Sequence, residues 1–71
     1  MRIRYTNHAI ERFYSRRINK TDVKNAIKHG KVSNAPGGIL ANIYKTAEKT
    51  LIVKYVIKGK DDVEVITAYW L

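Results

Sequence analysis

The chain has 71 residues, enough for one small domain spanning residues 1–71 and a thin hydrophobic core. With 45% hydrophobic residues it is too apolar for a disordered basic tail, and with no cysteine it excludes disulfides, zinc-thiolate sites and cysteine nucleophiles. Fourteen Lys and Arg against six Asp and Glu leave a formal charge of +8. Residues 1–31 hold nine of the basic residues and two of the acidic ones, so the excess sits in the first half. A one-sided positive field concentrates polyanions, above all nucleic acid. The alternative is a lysine-rich surface that only keeps the chain in solution.

Arg2 and Arg4 alternate with Ile3 and Tyr5, the pattern of a short edge strand. Thr6 and Asn7 offer an N-cap, and residues 7–17 read as a first helix. Ala9, Ile10 and Phe13 share its apolar face, while His8, Arg12 and Arg16 stand at i, i+4 and i+8 on another. A second helix spans 20–29, with Asn19 or Thr21 as its cap. Val23, Ala26 and Ile27 form its apolar stripe, and Lys20, Lys24 and Lys28 a basic one. Gly30 is expected to end this helix in a left-handed conformation. Ile18, between the helices, is expected in the core.

Asn34-Ala35-Pro36-Gly37-Gly38 is the clearest loop. Three strands follow, Ile39–Lys45, Leu51–Ile57 and Val63–Trp70, joined by hairpin-length connections. The last two are apolar on both alternations, as in central strands or in a sheet whose second face meets a partner. The expected fold is α+β: two N-terminal helices packed on a three- to four-stranded antiparallel sheet.

No phosphate-binding glycine loop is present, and His8 and His29 lack the acidic neighbours of a metal site, so no metal and no cofactor are expected. His29, near the end of the second helix, reads as a helix-end cation. The chemistry concentrates on the first helix, where His8, Glu11, Arg12, Arg16 and Arg17 put a proton-transfer group, a carboxylate and fixed cations within about three turns. Metal-independent RNA cleavage needs these types: a base for the 2′-hydroxyl, an acid for the leaving 5′-oxygen and cations for the phosphorane. The same residues also suit an ordinary polar helix surface. Lys20, Lys24 and Lys28 suit backbone tracking or a solvated face. Tyr44, Tyr55, Tyr69 and Trp70 suit base stacking or, more commonly, core packing.

The segment Thr6-Asn7-His8-Ala9-Ile10-Glu11-Arg12-Phe13, followed by Arg16-Arg17-Ile18, resembles a family of small prokaryotic and viral domains of unknown function. Their motif is Thr-x-His-Ala-x-x-Arg-hydrophobic; a helix ending in Gly and a closing strand of the type Val-Ile-Thr-x-Tyr follow. Asp22–Gly30 and Val65–Tyr69 match these. Where the family usually has a small break after the arginine, this chain has Arg17. The family is distantly similar to the barnase/RelE-like RNases, many of them toxins of toxin–antitoxin systems. The resemblance implies His8, Arg12 and Tyr69 as catalytic residues with Glu11 beside them, and Arg16 and Thr67 as phosphate contacts. Arg17, Lys20, Lys24 and Lys28 would extend the nucleic-acid surface.

Two functions follow as expectations: a toxin-like endoribonuclease, or a non-catalytic nucleic-acid-binding or protein-interaction module of a toxin–antitoxin-like system. RNA is the expected partner ahead of DNA, with an acidic antitoxin-like protein and a second copy of the chain as further partners. The longest apolar runs, Ala68–Leu71 and Leu51–Val53, are far short of the ~20 residues of a membrane span. Met1-Arg2-Ile3-Arg4 lacks a signal-peptide pattern, so the cytoplasm is the expected compartment.

Overall fold

In the computed structural model, which describes residues 1–34 and 36–71, two helices lie on one face of a five-stranded mixed sheet. The elements run β1 (Arg2–Tyr5), α1 (Asn7–Arg16), α2 (Lys20–His29), β2 (Lys31–Asn34), β3 (Leu40–Lys45), β4 (Thr50–Gly59) and β5 (Asp62–Trp70). The sheet order is β1-β5-β4-β3-β2. Strands β2 to β5 form an antiparallel meander, and β1 adds to β5 in parallel.

This corrects the expected three- to four-stranded antiparallel sheet in two ways. The first strand joins parallel because two helices separate it from β2 and the chain returns to it only through β5. The fifth strand, β2, lies at Lys31–Asn34, where polar residues hide the strand pattern; it is an edge strand, and Val32 stays 56% exposed. Pro36–Gly38 forms a short 3-10 turn with Gly37 and Gly38 both at positive φ, as the Pro-Gly pair suggested. The Ala35 part of the expected loop lies outside the described residues.

Helix α1 is pinned at both ends. The Thr6 hydroxyl accepts from the Ala9 N–H at 3.0 Å, capping the helix. It also donates to the Ile66 carbonyl at 3.3 Å, and the Thr6 N–H donates to the Val65 carbonyl at 3.1 Å. A register shift in β5 leaves the Ile66 carbonyl available: Tyr55 pairs with Val65 and Lys54 with Thr67, so Ile66 has no partner on β4. At the other end α1 stops at Arg16, one residue earlier than expected, because Arg17 turns left-handed at φ 54° and ψ 47°. The Ile18 N–H then reaches the Phe13 carbonyl at 2.8 Å, and both side chains are buried. That pairing of a bond with an apolar contact is a Schellman stop.

Helix α2 starts on Asn19, whose side chain accepts from the Asp22 N–H at 2.7 Å, which settles the choice against Thr21. Gly30 closes it with extended geometry, φ −71° and ψ 161°, and not with the expected left-handed turn. Glycine stands there because a Cβ would lie 2.5 Å from the Ala26 carbonyl oxygen and 3.0 Å from that of Ile43. The Asn42 amide completes the helix end, donating to the carbonyls of Ala26 at 2.9 Å and Ile27 at 3.2 Å. Tyr55 Oη donates to Asn42 Oδ1 at 2.8 Å, so this buried asparagine is satisfied at both ends of its amide.

The core gathers Ala9, Phe13, Ile18, Val23 and Ala26 from the helices with Leu51, Val53, Tyr55, Val63, Val65 and Ala68 from β4 and β5. The rings of Tyr5 and Phe13 meet edge to face, centroids 5.6 Å apart. Strand register assigns the other face: Ile52 pairs with Tyr69 and Ile43, and Lys54 with Thr67 and Ala41. Ile52 is 6% exposed although no helix covers it, shielded by its cross-strand neighbours Ile43 and Tyr69. Both alternations of β4 therefore carry apolar residues, one for the core and one for this cross-strand patch.

Candidate nucleic-acid interface

The residues singled out from sequence fall into four places. His8 and Arg12 stand one turn apart on α1, with Arg12 Nε 3.4 Å from His8 Nε2. In that contact the Arg12 Nε–H is the donor and the imidazole nitrogen the acceptor. The distance is at the outer limit of a hydrogen bond, so the contact is weak. Glu11 is exposed on the same helix.

Arg16 is a structural clasp. Its Nη1 donates to the Ala68 carbonyl at 2.8 Å, and its own carbonyl accepts from Trp70 Nε1 at 3.0 Å. These bonds tie the end of α1 to the end of β5 and use one of the N–H donors of the Arg16 guanidinium, a residue that stays exposed.

Thr67 and Tyr69 lie on the far side of the sheet from the helices. Ala68 between them is fully buried in the core, so its neighbours in the strand face the other way. Tyr69 carries Lys54 Nζ over its ring at 5.8 Å. The expected convergence of His8, Arg12 and Tyr69 on one phosphate does not occur: the sheet stands between Tyr69 and α1. Arg2 and Arg4 share that far face, paired in register with Asp62 and Glu64 of β5. Of the other aromatics, Tyr55 is buried, and Tyr44 and Trp70 pack against the core, Trp70 with Lys49 Nζ 5.3 Å from its ring.

The remaining cations do gather. Lys20, Lys24 and Lys28 line a cleft of about 330 Å³ between α2 and β1, together with Met1, Ile3 and Tyr5. Lysines four apart on a helix rise ~6 Å per step, so the three side chains leave α2 along a line ~12 Å long. Lys20 Nζ sits 4.9 Å from the centroid of the Tyr5 ring. Among the described residues no carboxylate lines the cleft. A second hollow of about 430 Å³ adjoins it, lined by Ile10, Phe13, Tyr14, Arg17, Ile18, Asn19 and Lys20.

Sequence pattern isolated the lysine stripe but missed β1 as the opposite wall, because a four-residue edge strand says nothing of what it will face. Tyr14 was missed too: it lies 90% exposed, off the apolar stripe that periodicity selects.

The family profile described as "Domain of unknown function (DUF4258)" matches residues 5–70, from the last residue of β1 to the last residue of β5. The chain belongs to this family. No curated protein and no solved structure matched it. The DUF4258 match covers both helices and all of β2 to β5, so the clasped α1–β5 unit and the α2 lysines lie inside the family domain. No helix of the described residues is long and apolar enough to cross a membrane.

Proposed function

We propose that this DUF4258 domain binds RNA through the cleft between α2 and β1, as a nucleic-acid-binding module. The observation that carries this reading is the line of Lys20, Lys24 and Lys28 along one cleft, with no carboxylate among its described lining residues. Three ammonium groups at regular spacing neutralise successive phosphates of a strand and release its counterions. Lysine suits this task as a flexible point charge, which holds a backbone without reading sequence. The test is fluorescence anisotropy with a labelled RNA. Wild type binds at low salt, and Lys24→Glu weakens binding at least tenfold with its fold intact; equal affinity of the two proteins removes the cleft from consideration.

A second reading, metal-independent RNA cleavage in the manner of barnase/RelE-like toxins, is favoured by one observation. Thr6, Ala9, Phe13, Arg16 and Ile18 of the α1 motif are explained by capping, packing and clasping. His8 and Arg12 are explained only by each other. Cleavage would then use His8 for proton transfer and Arg12 for phosphate charge, without Tyr69. RNA incubated with wild type and with His8→Ala decides it: only the wild type should cut, and an intact substrate with both proteins leaves binding as the function.

A further inference from the structure

The lysine cleft and the apolar hollow are usually opposite kinds of surface, yet here they share a wall. Lys20 lines both. Past it, the hollow is floored by Phe13 and Ile18, which are buried, and rimmed by Ile10 and Tyr14, which are 39% and 90% exposed. The Tyr14 ring, open to solvent beside Ile10, leaves a flat aromatic face free at the edge of the hollow. Two cationic residues, Arg17 and Lys20, are among its lining.

Arg17 adds an independent observation. It holds a left-handed backbone at φ 54°, the only non-glycine residue at positive φ among those described. Any residue but glycine is strained there, and the Schellman stop itself uses only backbone groups. The side chain contributes nothing to the stop, and the residue lines the hollow.

We infer that the hollow receives an unpaired base of the strand whose phosphates lie on Lys20, Lys24 and Lys28, with Tyr14 as the stacking platform. This rests on the proposed RNA-binding function and narrows its ligand to single-stranded nucleic acid. The charge in the lining favours this occupant. An apolar peptide would fill the hollow but leave Arg17 and Lys20 without an anion, whereas a nucleotide supplies an apolar ring face and a phosphate together. A duplex keeps its bases stacked and offers only its backbone, so it can use the cleft but not the hollow. Base–aromatic stacking is tolerant of sequence, because every base has a π-face.

The experiment compares three labelled probes of about ten nucleotides: an unstructured RNA, the same backbone with abasic positions, and an RNA duplex. Wild type is expected to prefer the unstructured RNA by about tenfold over the other two. Tyr14→Ala is expected to erase that preference and leave the abasic and duplex affinities unchanged. Arg17→Gly is expected to raise Tm, by relieving the left-handed strain, while weakening the unstructured RNA several-fold. Equal binding of all three probes by wild type would overturn the inference and leave the lysine cleft standing. So would a Tyr14→Ala protein with undiminished preference, or one whose only defect is lost self-association, which would make the hollow a protein contact. Failure of every probe to bind at low salt would overturn both the inference and the function beneath it.

Discussion

Trp70 donates its indole Nε1 hydrogen to the Arg16 carbonyl at 3.0 Å, while the Arg16 guanidinium reaches back to Ala68, two residues before that tryptophan. The end of the first helix and the end of the last strand thus hold each other by one bond in each direction. A residue expected to contact phosphate thus also serves the fold. Arg16→Ala should cost about 1–2 kcal/mol in urea-induced unfolding, the scale of a partly exposed charge-assisted hydrogen bond. RNA affinity should fall less than in Lys24→Ala. A variant as stable as wild type but defective in binding would return Arg16 to the interface.

Two buried tyrosine hydroxyls make a contrast within one molecule. Tyr55 Oη has Asn42 as its acceptor, whereas Tyr5 Oη is buried with no hydrogen-bond partner among the described residues. Tyr55→Phe orphans the Asn42 Oδ1 and should destabilise by about 1–2 kcal/mol. Tyr5→Phe removes an unsatisfied hydroxyl and should leave stability unchanged or raise it by up to about 1 kcal/mol. Chemical denaturation of the two variants checks both signs, and destabilisation of similar size in each would refute the assignment.

Burial raises both phenols above the usual tyrosine value of about 10. The native state therefore holds these protons more tightly than the unfolded chain does. Their contribution to stability is complete below about pH 10 and is lost as pH rises through the raised native values. Unfolding free energies measured from about pH 8 to about pH 11 should fall more steeply for wild type than for the Tyr5→Phe/Tyr55→Phe double variant. Parallel curves would contradict it.

Gly30 is required by space and not by backbone angle. Its φ of −71° suits any residue, but a methyl group would sit 2.5 Å from the Ala26 carbonyl, which also accepts from Asn42. Gly30→Ala should cost about 1–3 kcal/mol, as overpacking does. A gain in thermal stability, the usual result of glycine to alanine at an unstrained site, would show that the helix end yields freely.

Local chemistry was the most legible part of the fold. Thr6, Asn19 and the 3.6-residue spacing of Ala9/Phe13 and Val23/Ala26 announce two helices within a residue of their true ends. The parallel seat of β1 and the existence of β2 were not legible. Both are short edge strands whose place depends on pairing with residues more than ten positions away or on a chain otherwise polar. The candidate site divides in the same manner. A lysine stripe at i, i+4 and i+8 is visible in one helix alone. The opposite fates of Ala68 and its neighbours Thr67 and Tyr69 hang on a bulge at Ile66, because one extra residue in a strand exchanges its faces.

The cleft is tested most directly by the salt dependence of RNA binding. Each phosphate neutralised on a single strand contributes about −0.7 to the slope of log K against log salt concentration. Replacing Lys20, Lys24 and Lys28 together by glutamine should make that slope about 2 units shallower, with the circular dichroism spectrum unchanged. An unaltered slope in the folded triple variant would show that the phosphates lie elsewhere on the protein and would contradict the account.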